Sequence, residues 1–223
     1  MSDAPDPQHS EHSEHPELPA SARIRIRTLL KRNGRTLLGL VGAPGAGKST
    51  LAAALLAEFG DVAQVIPMDG FHLANAELER LGRRERKGAP DTFDGDGYVA
   101  LLRRLLAQTD DEVVYAPEFR REIEEPVAGA IAVPARTQLL ITEGNYLLLE
   151  DAPWAQVARL LDEVWYVDID DALRVERLTR RHEQFGRSAA EAAAWVAGTD
   201  EPNARRVEAS RARASFVFRW DDA

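Results

Sequence analysis

The sequence predicts a three-layer α/β fold, a mostly parallel five-stranded sheet with helices on both faces. Three observations carry that reading. Continuous apolar runs of strand length alternate with segments of helical period, as expected for strands covered on both sides. The first run feeds a glycine-rich loop that opens directly into an Ala/Leu-rich helix. Later runs end abruptly on a carboxylate, at Asp69, Glu143 and Asp168. Parallel sheets bind ligands beyond the carboxyl ends of their strands, so these acids mark the candidate site.

In chain order, residues 21–32 have helical character, with Ile24, Leu29 and Leu30 interrupted by arginines. Residues 36–41 read as the first buried strand and 49–59 as the helix after the loop. A second apolar run, 62–67, ends at Met68-Asp69-Gly70, and a short helix at 74–81 leads into a polar stretch, 82–94. Val99, Leu102, Leu105 and Leu106 give 98–108 a helical period. A short strand at 113–115 and a hairpin or irregular β excursion at 125–133 follow. Residues 139–142 and 164–167 are further buried strands, ending at Glu143 and Asp168. Helices are expected at 171–185, 189–197 and 203–213, and 215–218 can close the sheet as its last strand.

The chain has 223 residues, 44% of them hydrophobic, which fits one domain with a sizeable core. Residues 1–20 stand apart: Asp3, Asp6, Glu11, Glu14 and Glu17, no Lys or Arg, and four prolines. They read as a disordered, solvated tail, leaving 21–223 as the single folded domain. His9, His12 and His15 recur in it at a spacing that a transition metal could use only weakly. No apolar run approaches the roughly 20 residues that span a bilayer, and the N-terminus lacks a secretory pattern. The expectation is a cytoplasmic protein with no membrane partner. The absence of cysteine excludes disulfides and thiolate chemistry, and a net charge of −9 argues against nucleic-acid binding.

Gly42-Ala43-Pro44-Gly45-Ala46-Gly47-Lys48-Ser49-Thr50 fits G-x-x-x-x-G-K-[ST], a phosphate-loop pattern. Its glycines let successive N–H groups wrap a β-phosphate at a helix N-terminus. Lys48 can reach the β- and γ-phosphates, and the Ser49 hydroxyl can ligate Mg²⁺. Lys48 is one of three lysines, with Lys31 and Lys87, in a chain whose positive charge is otherwise arginine. Phosphoryl transfer to a hydroxyl needs, beyond the loop, a metal-side carboxylate, an acid that accepts the hydroxyl proton, and positive charge on the γ-phosphate. Asp69 closes strand two, expected beside strand one, and is the preferred base; an ordinary Asp-Gly turn is the alternative. Asp168 has the better apolar lead for the metal side, but it precedes a helix as capping residues do, so Glu143 is favoured. Arg174, Arg177 and Arg181 share one helix face and can close over a triphosphate; a solvated charged face is the alternative. Arg80, Arg83, Arg84, Arg86 and Lys87 form a second basic cluster that could hold an acidic substrate or simply be exposed.

Asp69-Gly70-Phe71-His72-Leu73-Ala74-Asn75, with 86–94, resembles the substrate-side segment of type I pantothenate kinases. The glycine loop and the 168–181 stretch are similar to uridine kinases and phosphoribulokinases of the P-loop kinase superfamily. The segments 114–119, 124–130, 143–146 and 199–205 resemble bacterial nucleoside/nucleotide kinase-like proteins, some labelled fructose transport system kinases. The resemblance covers about residues 36–214 and implies a P-loop fold with a small lid and a substrate-side insert. It implies an ATP-dependent phosphotransferase acting on a hydroxyl of a small metabolite. ATP would lie on Gly42, Ala43, Gly45, Ala46, Gly47, Lys48, Ser49 and Thr50, under Arg174, Arg177 and Arg181. It implies Asp69 as the catalytic carboxylate, Ser49 and Glu143 on Mg²⁺, and His72, Lys87, Phe93, Tyr115 and Tyr146 around the acceptor. A homodimer is a family-level expectation. Arg120-Arg121 departs from that group, where an acid would stand beside one arginine, and sugars, nucleosides and pantothenate-like alcohols all remain open as acceptors. A nucleotide-binding regulatory protein is the rival reading. The chain lacks N-K-x-D, and Asp94-Gly95-Asp96-Gly97 fits D-x-x-G without a strand before it.

Overall fold

The computed structural model describes residues 16–32 and 34–221. Its main sheet holds β1 (Thr36–Val41), β2 (Ala63–Pro67), β5 (Leu139–Gly144), β6 (Glu163–Val167) and β7 (Phe216–Phe218). A separate antiparallel hairpin pairs β3 (Val113–Arg120) with β4 (Glu125–Pro134). The helices are α1 (Ala20–Leu29), α2 (Lys48–Phe59), α3 (Asn75–Arg80), α4 (Gly95–Leu106), α5 (Asp171–Gln184), α6 (Ala189–Trp195) and α7 (Glu201–Glu208). The polar stretch 82–94 carries two short 3₁₀ turns, and a π-helical turn, Val196–Asp200, joins α6 to α7.

All five main strands run parallel, in the order β2-β5-β1-β6-β7. The strand after the loop was expected to neighbour β1; β5 lies between them. Register then aligns Glu143 with Leu40 on one side and Pro67 on the other, so three strand ends meet flush at one edge. Strand β1 is buried at every position. Its Leu37 and Val41 join the core with α4 and the hairpin, while Leu38 and Leu40 join the core with α1 and α2. That alternation explains why the strand reads as continuously apolar.

The N-terminal boundary also differs from expectation. Residues 1–15, with His9, His12 and His15, lie outside the described residues. Residues 16–20, assigned to the tail, are tied down: Leu18 is buried in the α1–α2 core, and its carbonyl accepts from the Arg23 guanidinium at 2.7 and 3.1 Å. A single leucine among polar residues gives no periodic signal, yet its burial is enough to fix the entry to α1.

Beneath the site, the Thr142 hydroxyl donates to the Ile66 carbonyl at 2.7 Å. Having one proton, it must then accept from the Tyr98 hydroxyl at 2.6 Å. This buried chain ties β2 to β5 directly below the ends that carry Asp69 and Glu143. Thr142→Val preserves shape but leaves the buried Tyr98 hydroxyl without its acceptor, and should lower folding stability by about 2 kcal/mol. Denaturant unfolding reads this; an unchanged midpoint and slope would remove the tie from the account.

Candidate active site

The phosphate loop joins β1 to α2 and takes its shape from two glycines. Gly45 (φ 82°) and Gly47 (φ 91°) both occupy the left-handed region, and a Cβ on Gly45 would sit 2.9 Å from the Arg174 carbonyl. The turn brings the free N–H groups of the first turn of α2 to the cleft. The Lys48 ammonium donates back to the Gly42 carbonyl at 2.9 Å and the Ala43 carbonyl at 3.2 Å. Surrounding protein displaces its water and pulls its pKa down to about 8, against the opposing pull of Glu143 and Asp69. Lys48 therefore sits at the centre of the site rather than on the surface.

At the end of β5, Glu143 accepts the Ser49 hydroxyl through both carboxylate oxygens, at 2.8 and 2.9 Å. Loss of water at the cleft floor pushes the Glu143 pKa up, opposed first by Lys48. Asp69 stands on the 3₁₀ turn Met68–Phe71 after β2, with the Arg121 guanidinium 3.8 Å from its carboxylate. A cleft of about 530 Å³ collects Lys48, Ser49, Asp69, Glu143, Arg121 and Arg181.

Asp168 takes no part in that cleft. Its carboxylate accepts from Arg211 at 2.7 Å and from Arg219 at 2.5 and 2.8 Å, in a second cavity of about 760 Å³. Ala43 and Ala46 also line this second cavity, so the phosphate loop forms a wall between the two. The cap of α5 is Asp170, which accepts from the Leu173 N–H.

The three arginines of α5 separate according to what surrounds them. Arg174, expected over the triphosphate, is buried behind the loop, with Nε on Asp171 at 3.0 Å and Nη2 on Glu201 at 2.6 Å. Arg177 is exposed and lines the Asp168 cavity. Arg181 alone lines the cleft with Lys48, and it has no hydrogen-bonded partner among the described residues. A shared helix face did not give a shared ligand, because Arg174 lies behind the phosphate loop and is taken up by Asp171 and by Glu201 of α7.

On the far wall, His72 is held against Phe93 (ring centroids 4.0 Å) and Phe119 (4.7 Å). Its Nδ1 must donate to the Asp69 carbonyl at 2.8 Å, since a carbonyl only accepts. Desolvation lowers its pKa, leaving a neutral ring with Nε2 as acceptor. Lys87 donates to Asn75 Oδ1 at 2.7 Å and the Glu124 carbonyl at 2.6 Å, and lies over the Phe119 ring. Arg84 bonds the same Asn75 oxygen and also reaches the cleft. Arg80, Arg83 and Arg86 instead pair at the surface with Glu77 or Asp91, so the second basic cluster is mostly a solvated face.

Two expected acceptor residues lie elsewhere. Tyr115 is 58% exposed on β3, because its neighbours Val114 and Ala116 face the core and strand alternation turns it outward. Tyr146 is buried: its ring packs on Phe93 and Trp154 while its hydroxyl donates to the Gly88 carbonyl, so it supports the wall from behind. Cleft residues outside the sequence prediction include Phe119, Arg121, Asn145 and Arg187. A bulge between Ala116 and Glu118 shifts the hairpin register ahead of Phe119, which simple alternation could not have revealed.

Fold and loop together define a P-loop kinase. The sequence profile of the Phosphoribulokinase / Uridine kinase family matches residues 37–207. The chain belongs to that family. A provisionally named uridine kinase of Schizosaccharomyces pombe is 41% identical over 172 residues, 73% of each chain. The uncharacterized protein YggC of Escherichia coli is 36% identical over 188 residues, 82% of this chain and 77% of its own. The crystal structure of a provisionally named fructose transport system kinase from Silicibacter sp. TM1040 superposes with a TM-score of 0.81 at 36% identity. That match covers 91% of this chain and all of the other.

The sorting of arginines is measurable. Arg174→Ala leaves Glu201 and Asp171 unpaired beside a buried gap and should cost about 3 kcal/mol of stability, whereas Arg181→Ala should change it by less than about 1 kcal/mol. Comparable losses in thermal unfolding for both variants would contradict the assignment of only Arg174 to the fold.

Proposed function

We propose that this chain is an ATP-dependent kinase that transfers the γ-phosphate of ATP to a hydroxyl of a small metabolite. The observation that carries this reading is the convergence of Lys48, the Ser49–Glu143 pair and Asp69 from three separate segments on one cleft. Phe93, Phe119 and His72 add an aromatic wall to the cleft that holds the carboxylate, which a bare nucleotide switch has no use for.

The Ser49 hydroxyl and the Glu143 carboxylate are hard oxygen donors suited to Mg²⁺. Among the described residues no group of three or more His, Asp or Glu could hold a metal alone, consistent with an ion that keeps several waters and leans on phosphate. Bound Mg²⁺ would supply charge neutralisation at the phosphates.

Loop amides and Lys48 bind the phosphates, and Arg181 adds charge from α5. Asp69 orients the acceptor hydroxyl and takes its proton as the acceptor oxygen bonds to the γ-phosphorus. The bond from that phosphorus to the β,γ-bridging oxygen breaks, and its electron pair leaves with ADP. His72 Nε2 is placed to accept from a second acceptor hydroxyl. The nucleoside end of ATP enters the Asp168 cavity across the loop, which gives Arg177 a nucleotide-side role in place of the expected one over the transferring group.

ADP release by the purified chain with Mg²⁺, ATP and a panel of fructose, other sugars, nucleosides and pantothenate tests the reading. At least one acceptor should raise turnover above the rate with water. With that acceptor, Lys48→Ala and Asp69→Asn should each reduce transfer by about a hundredfold or more. Only Lys48→Ala should also weaken ATP binding; lost ATP affinity in Asp69→Asn would remove Asp69 from the acceptor side.

A further inference from the structure

The turn that joins β3 to β4 is held unusually firmly for a hairpin tip. Glu124 adopts a left-handed backbone (φ 53°), which is uncommon for a residue with a side chain. Its carbonyl accepts from Lys87 Nζ at 2.6 Å and from Asn75 Nδ2 at 3.1 Å. The next residue, Glu125, accepts the Asn75 N–H through both carboxylate oxygens, at 3.0 and 3.1 Å. These bonds tie the tip to α3 and to the 84–87 turn.

Arg121 leaves it toward the reacting centre. Its guanidinium lies 3.8 Å from the Asp69 carboxylate, too far for a hydrogen bond, and makes no other ion pair among the described residues. It lines the same cleft as Lys48, Glu143 and Arg181. Its charge is felt at all three: it depresses Arg181 and Lys48 further and helps hold Glu143 ionised. Three cations from three separate elements therefore crowd around two carboxylates, a surplus that an added anion would relieve. The neighbouring Arg120 has no such position, since it pairs with Glu118 at 3.5 Å on the exposed end of β3.

We propose that Arg121 is a further catalytic residue, a guanidinium carried by the hairpin tip that contacts the phosphoryl group while it moves from ATP to the acceptor. This rests on the kinase reading above. Arg181 approaches that group from α5 and Arg121 from the hairpin tip. Arg121 donates hydrogen bonds to the equatorial oxygens and is itself unchanged, while the proton goes to Asp69 and the bridging electron pair to ADP. The planar fork suits this task better than an ammonium would. The acceptor-side insert thereby doubles as part of the phosphate machinery.

The test needs no identified acceptor. Affinity of the purified full chain for ADP with Mg²⁺ is measured by calorimetry without and with aluminium fluoride, which mimics the transferring phosphoryl group. In the wild type, aluminium fluoride should tighten ADP binding. In Arg121→Ala that tightening should fall about tenfold or more, in Arg121→Lys partly, and in Arg120→Ala not at all. ADP affinity without fluoride and the unfolding midpoint should stay at wild-type values. Undiminished tightening in Arg121→Ala would overturn the proposal, and is also what an arginine gripping only the acceptor would give. Loss of plain ADP affinity or of stability in step with the tightening would overturn it as well, by making Arg121 structural. Absence of tightening in the wild type would instead sink the kinase reading on which it stands.

Discussion

Placing β5 between β1 and β2 is the constraint on which the site depends. A parallel sheet aligns strand ends, and here the aligned ends are the phosphate loop, Glu143 and the Asp69 turn. Had β2 paired with β1 directly, Asp69 would abut the loop and Glu143 would stand a strand further out. With β5 interposed, Glu143 meets Ser49, and Asp69 faces the chamber formed by His72, Phe93 and Phe119. Two carboxylates thereby receive different surroundings. One leans on a hydroxyl suited to a metal, and the other is flanked by an arginine and an aromatic wall. On the kinase reading, this separation of environments would let a single cleft give two acids two tasks.

Arginine dominates the positive charge of this chain, and the structure divides it by partner. Arg174 braces the back of the loop against Asp171 and Glu201, and Arg211 and Arg219 neutralise Asp168. These guanidiniums are committed to protein carboxylates. Arg181 has no such partner among the described residues, Arg121 has only the 3.8 Å approach to Asp69, and both line the cleft with Lys48. Leaving like charges close together costs energy in the free protein, a cost that an incoming polyanion offsets. Site and scaffold thus use the same residue type, told apart only by what lies within hydrogen-bond reach.

Much of the frame was legible in the sequence because it is local. The loop pattern, the buried run of β1, the helix that follows, and the acids ending β2 and β5 all follow from neighbours in the chain. Glu143 was preferred over Asp168 on a capping argument, and the structure brings Glu143 rather than Asp168 to Ser49. What escaped depends on pairing at a distance. Strand order is set by packing between segments about 70 residues apart. Tyr115 and Tyr146 were grouped with the acceptor by resemblance, yet strand alternation exposes the first and a Gly88 contact buries the second. Arg174, Arg177 and Arg181 share a helix face, and no periodicity reports that α7 and the loop occupy part of it. Arg121 was noticed only as a departure from a pattern, since nothing local says that a hairpin tip folds over Asp69.

The most direct test is a crystal structure of the chain with Mg²⁺ and a non-hydrolysable ATP analogue. The account predicts the terminal phosphate beside Lys48, with the metal between it and Ser49–Glu143 and its open face toward Asp69. A metal held by Asp168, or a terminal phosphate directed into the Asp168 cavity with the base in the aromatic chamber, would contradict it.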